Sequence, residues 1–271
     1  MMKKVKKYID YALSLVSKAI REKKYRNENS TLKYLFYPCK NSKDMVVVFS
    51  ACTRVGIPAR YNYIRTLDSI EVNKLYILDD EGDDKRGSYY LGQYPEFYTE
   101  KAVIELITKV TETYARLIDK YMVRHFIKPG VTGWAQTHGF RGETKESSQM
   151  EGRVKAVIIG APQYKLGQYL QAPANMTTLN FVKGFLHDDE IVIDELDNHI
   201  RNKIRGLQNT KVYLHYSKQE HTFDEHIIYL LNDLKQITSV DENTANYSDH
   251  QDVSLYFPKY LKETVNMLIK R

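Results

Sequence analysis

Two short apolar runs limit what this chain can fold into more than any other feature. Met45–Ser50 and Val154–Ile159 carry an apolar residue at nearly every position. A strand apolar on both faces needs cover on both faces, and inner strands of a parallel sheet meet that need. Lys74–Leu78 and Lys211–Tyr216 have a similar make-up. Helical spacing of apolar residues lies between and after these runs, over Glu100–Lys120, Asp188–Ile204, Phe223–Leu234 and Phe257–Ile269. Strands alternating with helices predict an α/β fold, a mostly parallel sheet with helices on both faces. The four runs are expected as adjacent inner strands. Leu32–Tyr37 alternates as a half-buried strand, Tyr61–Arg65 reads as a further strand, Ser88–Leu91 as a short extended piece, and Tyr8–Lys24 as an amphipathic helix. The 271 residues show no internal repeat and no low-complexity linker, so one domain spanning 1–271 is expected.

Charge and cysteine content narrow the function. The net charge of +6 is concentrated at the start, where Lys3, Lys4, Lys6, Lys7 and Lys18 face few acids. That pattern predicts a solvated helix face, with peripheral contact to the inner face of a membrane as the alternative. No nucleic-acid signature accompanies it. Cys39 and Cys52 make neither a disulfide framework nor a zinc site. His221 and His226 lack a third ligand at metal spacing, and no cofactor is expected. No run is long enough to span a bilayer and none reads as a signal peptide, so a cytoplasmic location is expected. Tyrosine, at 22 residues against 9 Phe and 1 Trp, suits glycan-facing pocket rims as well as strands.

One interval breaks the rhythm. Residues 121–155 hold Pro129 and five glycines where the next strand, turn and helix belong. Glycine and proline weaken both regular elements. An irregular segment is expected there, so that the sheet either loses its central strand or takes Val123–Ile127 as a poor substitute.

Several segments resemble a family of bacterial α/β-hydrolase-like proteins of capsular-polysaccharide biosynthesis and of accessory Sec systems that modify and export glycosylated adhesins. They are YLFYPCKNSKDMVVVFSACTRVGIPARYNYIRTL (Tyr34–Leu67), KLYILDDEGDDKRGSYYLG (Lys74–Gly92), VIIGAPQYKLGQYL (Val157–Leu170), LHYSKQEHTFDEH (Leu214–His226) and HQDVSLYFPKYL (His250–Leu261). The resemblance implies O-acyl transfer to a glycan, or ester hydrolysis on one. Implied partners are a glycan or glycosylated protein, and a glycosyltransferase or secretion-complex protein. YMVRHFIKPGVTGWAQTHGFRGET (Tyr121–Thr144) is instead similar to the C-terminal motif of bacterial initiating sugar transferases. The chain reads as a joining of two polysaccharide-locus genes.

Serine acyl transfer needs a nucleophile, a histidine that takes its proton, and an acid that orients the histidine. In the hydrolase plan they follow in the order nucleophile, acid, histidine. The resemblance puts the base at His250. The acid then falls after Lys211–Tyr216, at Glu220, with Asp224 second and Glu225 third. Both favoured acids also suit the first turn of the following helix. The loop Ser50–Arg54 is where such a fold donates an oxyanion-hole amide, which singles out Ala51 and Cys52. Gly160–Tyr164, with Gln163 and Tyr164, is expected to shape the pocket rim. No G-x-S-x-G turn exists anywhere. Thr132, in Gly130-Val131-Thr132-Gly133, is the nearest substitute nucleophile, ahead of Ser147, Ser148 and Cys52. The sequence thus supports the scaffold more strongly than it supports activity.

Overall fold

The computed structural model describes residues 21–53, 55–82, 84–114, 124–127, 154, 156–186, 188–208 and 210–269. Among these residues, eight strands make one sheet: β1 (Lys23–Arg26), β2 (Thr31–Tyr37), β3 (Met45–Phe49), β4 (Asn73–Leu78), β5 (Arg124–Ile127), β6 (Ala156–Gly160), β7 (Lys211–Tyr216) and β8 (Val240–Thr244). Their order is β1-β2-β4-β3-β5-β6-β7-β8. The β1–β2 and β2–β4 pairs are antiparallel, and every pair from β4 to β8 is parallel.

The four expected inner strands are all present, but they are not contiguous. β5 stands between β3 and β6, pairing Val47 with His125 and His125 with Val157. The substitute central strand therefore exists as backbone over Arg124–Ile127. The rest of 121–155, apart from Val154, lies outside the described residues.

Strand alternation divides the core in two. Val47, Phe49, Leu75 and Ile77 point to one face, under the long helix Tyr98–Thr113. Val157, Ile159, Val212 and Leu214 extend that face beneath helices that include Asp189–Ile204 and Ile228–Lys235. Val46, Val48, Tyr76, Ala156, Ile158 and Tyr213 point the other way, against the C-terminal helix Val253–Ile269. At about 1.5–3 kcal/mol for each large apolar side chain buried, this two-sided cover explains why the runs are apolar throughout.

The helices are labelled α1 (Ile64–Leu67), α2 (Tyr98–Thr113), α3 (Leu166–Leu170), α4 (Met176–Lys183), α5 (Asp189–Ile204), α6 (Ile228–Lys235) and α7 (Val253–Ile269). Asp188 caps α5, its carboxylate accepting from the Glu190 and Ile191 amides.

Three local expectations are corrected. Tyr61–Arg65 is not extended: Tyr63 takes φ 60°, and the chain enters α1, which buries Leu67. Ser88–Leu91 is a turn. The buried Asp79 carboxylate draws in the amides of Ser88 (2.8 Å) and Tyr90 (2.6 Å), with Tyr89 and Tyr90 at φ 56° and 60°. Gly87 permits that approach, since a Cβ there would stand 2.9 Å from the Asp79 carbonyl oxygen. The early helix stops short of Lys24, because Lys23 and Lys24 pair in β1 with Tyr34 and Lys33; residues 8–20 lie outside the described part.

Candidate active site

The C-terminal ends of the parallel strands converge on a cavity of about 810 Å³. Open α/β sheets bind ligands at this edge. Ala51, Cys52 and Thr53 follow β3 on one wall, Gln163 follows β6, and His250 follows β8.

Parallel pairing of β7 with β8 brings two loops side by side. The buried Ser217 hydroxyl fastens them, accepting from the Gln219 amide at 3.1 Å and the Tyr247 amide at 3.3 Å. Glu220 lies on the first loop and His250 on the second. Asp249 caps the short turn His250–Asp252 by accepting from the Gln251 amide at 2.8 Å. The result is a contact of 3.0 Å between His250 Nδ1 and Glu220 Oε2. Glu220 is 2% exposed. Its carboxylate can accept only from a protonated Nδ1, which leaves the Nε2 lone pair as the basic position. Nε2 meets the side-chain amide nitrogen of Gln163 at 3.1 Å.

The other expected site residues are distributed as follows. Asp224 sits in a π-helical turn, Phe223–Ile227, and lines a second cavity of about 550 Å³ with Lys165, His221 and His226. The Ala51 amide is held by Asn62 Oδ1 at 2.9 Å, so it is not free to receive an oxyanion. Burial pushes the Cys52 thiol up to about 11, with the Arg86 charge opposing, so the sulfur is a protonated wall group. Tyr164 is directed into the core, where its hydroxyl donates to Asp233, and it does not line the cavity. Thr132, Ser147 and Ser148 lie outside the described residues. Among the described residues, no hydroxyl bonds His250.

Two residues were missed by the sequence reading. Ser217 gives no signal beyond being a serine after a strand. Arg86, which closes the charged stretch Asp79–Arg86, is buried and lines the cavity. Its Nε donates to the Thr53 carbonyl at 2.6 Å and one terminal nitrogen to the Ala174 carbonyl at 2.9 Å. An arginine at the end of an acidic run (Asp79–Arg86) looks solvated until the fold is known.

Known structures share this architecture. The capsule O-acetyltransferase of Neisseria meningitidis serogroup A, solved as a mutant in complex with CoA, superposes with a TM-score of 0.68 at 18% identity, over 90% of this chain and 94% of that one. The Pyrococcus horikoshii acylaminoacyl peptidase gives 0.65 at 12% identity, over 93% of this chain and 42% of that one. Est1E from Butyrivibrio proteoclasticus gives 0.58 at 11% identity, over 93% and 100%. The chain has an α/β-hydrolase fold. On that scaffold, Glu220 and His250 stand on the loops after β7 and β8 in the order acid, then histidine.

Sequence comparison gives a second, shorter likeness. UDP-glucose:undecaprenyl-phosphate glucose-1-phosphate transferases match over 42 residues at 57% identity (Xanthomonas campestris pv. campestris) and over 76 residues at 38% (Klebsiella pneumoniae). These matches cover 16% and 28% of this chain, and 9% and 16% of those transferases. No family model matches the chain.

No helix among the described residues is long and apolar enough to cross a membrane. No described cluster of His, Cys, Asp and Glu could hold a metal ion.

Proposed function

We propose that this α/β-hydrolase-fold chain acts on surface or capsular polysaccharide, transferring an acyl group to a sugar hydroxyl or hydrolysing such an ester. The observation that carries the reading is the His250–Glu220 pair beside the cavity, with Nδ1 held at 3.0 Å and Nε2 3.1 Å from the amide nitrogen of Gln163, which lines the cavity with His250. In this reading His250 takes the proton from the attacking hydroxyl, and the buried Glu220 carboxylate stabilises the imidazolium that forms. The neighbour solved with CoA suggests an acyl thioester as donor.

The test is acetyl transfer from acetyl-CoA to purified capsular polysaccharide, with p-nitrophenyl acetate hydrolysis in parallel. His250→Ala is expected to lower turnover by about 10²-fold or more, and Glu220→Gln by a similar factor. Turnover indifferent to His250→Ala would sink the assignment.

Two observations favour a second reading, a non-catalytic glycan- or glycosyltransferase-binding partner: the sequence lacks a G-x-S-x-G turn, and among the described residues Nε2 meets an amide rather than a hydroxyl or thiol. Polysaccharide binding with no acyl turnover above the His250→Ala background would support it. Association with a secretion complex, or with a membrane face through the basic N-terminal segment, belongs to the same proposal. Sugar-phosphate transfer rests on the short transferase likeness alone and is the weakest reading.

A further inference from the structure

We propose that Gln163 is a positioning residue that caps the basic nitrogen of His250 at rest and must give it up for the site to act. The inference rests on the His250–Glu220 reading above and adds a device to it. Glu220 fixes the tautomer by accepting from Nδ1–H, so Nε2 carries a lone pair. The Gln163 amide nitrogen lies 3.1 Å from that lone pair and is a donor. The base is therefore already hydrogen-bonded by the protein, in the place a substrate hydroxyl would take.

The backbone before Gln163 is shaped to hold it there. β6 ends at Gly160, where a Cβ would meet the Phe257 ring of α7 at 2.7 Å. Ala161 follows at φ 42°, an unusual conformation for a non-glycine residue that precedes proline, and its amide is held by the His215 carbonyl at 2.8 Å. Strain of this kind persists when the surroundings over-determine it, and it gathers at functional sites. Pro162 then leads into Gln163, which is 1% exposed.

The cap is not a comfortable contact. Among the described residues the Gln163 side-chain oxygen is buried and has no hydrogen-bond partner. An orphaned carbonyl of this kind opposes the gain from the donor side. Rotation of the amide away from His250 exposes the lone pair and lets the oxygen find a partner, so the resting contact is poised to break.

The test reads the imidazole itself and needs no turnover. Nitrogen-15 NMR of the full chain follows His250 through a pH titration. The charged or titratable groups near it, among the described residues, are Glu220 at 3.0 Å, His221 with ring centroids 6.3 Å apart, His226, which responds to the His250 charge, the neighbouring Asp249 and Asp252, and Arg60 and Arg86 on the same cavity. All are common to the variants compared. Gln163→Glu sets a second carboxylate on Nε2, and the titration midpoint is expected to rise by about one pH unit or more relative to wild type. Gln163→Met keeps the bulk and removes the donor, and the neutral-state Nε2 resonance is expected to move toward that of an unbonded nitrogen. If Gln163→Glu unfolds the chain, the Gln163→Met spectrum still decides. A wild-type Nε2 resonance equal to that of Gln163→Met, or an unmoved midpoint in folded Gln163→Glu, would overturn the cap. A cap shown by NMR with no activity in any variant would leave this inference standing and count against the acyl-transfer reading.

Discussion

Acid will loosen this protein through His226. The ring is 4% exposed, and its Nδ1 accepts the Lys165 amide at 3.1 Å, a bond that exists only while that nitrogen is unprotonated. Burial holds the imidazole down at about 4, with the charges of Lys165, His221 and His250 adding to the effect. The unfolded chain binds the proton near 6.5. The folded value lies below the unfolded one, so the stabilisation is complete above pH 6.5 and drains away as pH falls toward 4. The full difference is about 3 kcal/mol, and about 2 kcal/mol of it is gone by pH 5. That is a large share of an ordinary domain's stability. His226→Asn keeps an acceptor for the Lys165 amide and cannot titrate. Urea unfolding of both proteins at pH 7.5 and pH 5 isolates the contribution, since every other titrating group is common to the pair. The wild type is expected to lose about 2 kcal/mol more than His226→Asn between the two pH values. Equal losses, or a His226 ring that titrates near 6.5 in the folded chain, would refute the reasoning.

Three other outcomes follow from named contacts. In Gly167→Ala the new methyl would lie 2.2 Å from the Ile193 carbonyl oxygen, so α3 must move off α5; a net loss of about 2–3 kcal/mol is expected in urea melts, and an unchanged midpoint would contradict the close approach. Cys52, with its thiol near 11, is expected to react with iodoacetamide at pH 7.5 about a hundredfold more slowly than in the urea-unfolded chain, and comparable rates would show that the wall is open. Glu100 is buried and accepts from Lys203 at 2.7 Å and from His199 at 2.8 Å; burial opposes its charge, but these partners hold its carboxyl below the usual range. Stability from Glu100 is therefore present above about pH 4.5 and lost as pH falls below it, and Glu100→Gln should flatten that part of a stability–pH curve.

Legibility in the sequence followed physical cause. β3, β4, β6 and β7 could be read because two-sided burial forces an unbroken apolar run. β8 (Val-Asp-Glu-Asn-Thr) could not, since it is an edge strand whose side chains are largely exposed and polar. The turn at Ser88–Leu91 was hidden because a carboxylate nine residues earlier decides it. His250 and Glu220 were reachable only through the family resemblance and the acid-then-histidine order it implies, and the fold brings the two side chains into contact. Gln163 was singled out as a rim residue, but its contact with Nε2 needs the bend at Ala161, and no pattern of residue types announces that bend. Ser217 and Arg86 act through partners 30 and 88 residues away, beyond the reach of any local signal.

The central strand has one more consequence. β5 is four residues long, and among the described residues of the sheet it alone joins the β1–β4 side to the β6–β8 side. The cavity walls belong to opposite sides of that seam: Ala51 and Cys52 to one, Gln163 and His250 to the other. Their spacing is thus a mechanical property of the seam, reinforced below by α7, which packs on Val48 and Ile158 alike, and above by the reach of Arg86 from Thr53 to Ala174. The width of the cavity can accordingly be tuned by the residues that tie its two walls together. Loosening the Arg86 strap would let the two walls drift apart like the jaws of a clamp whose screw has been backed off, with the sheet itself still intact.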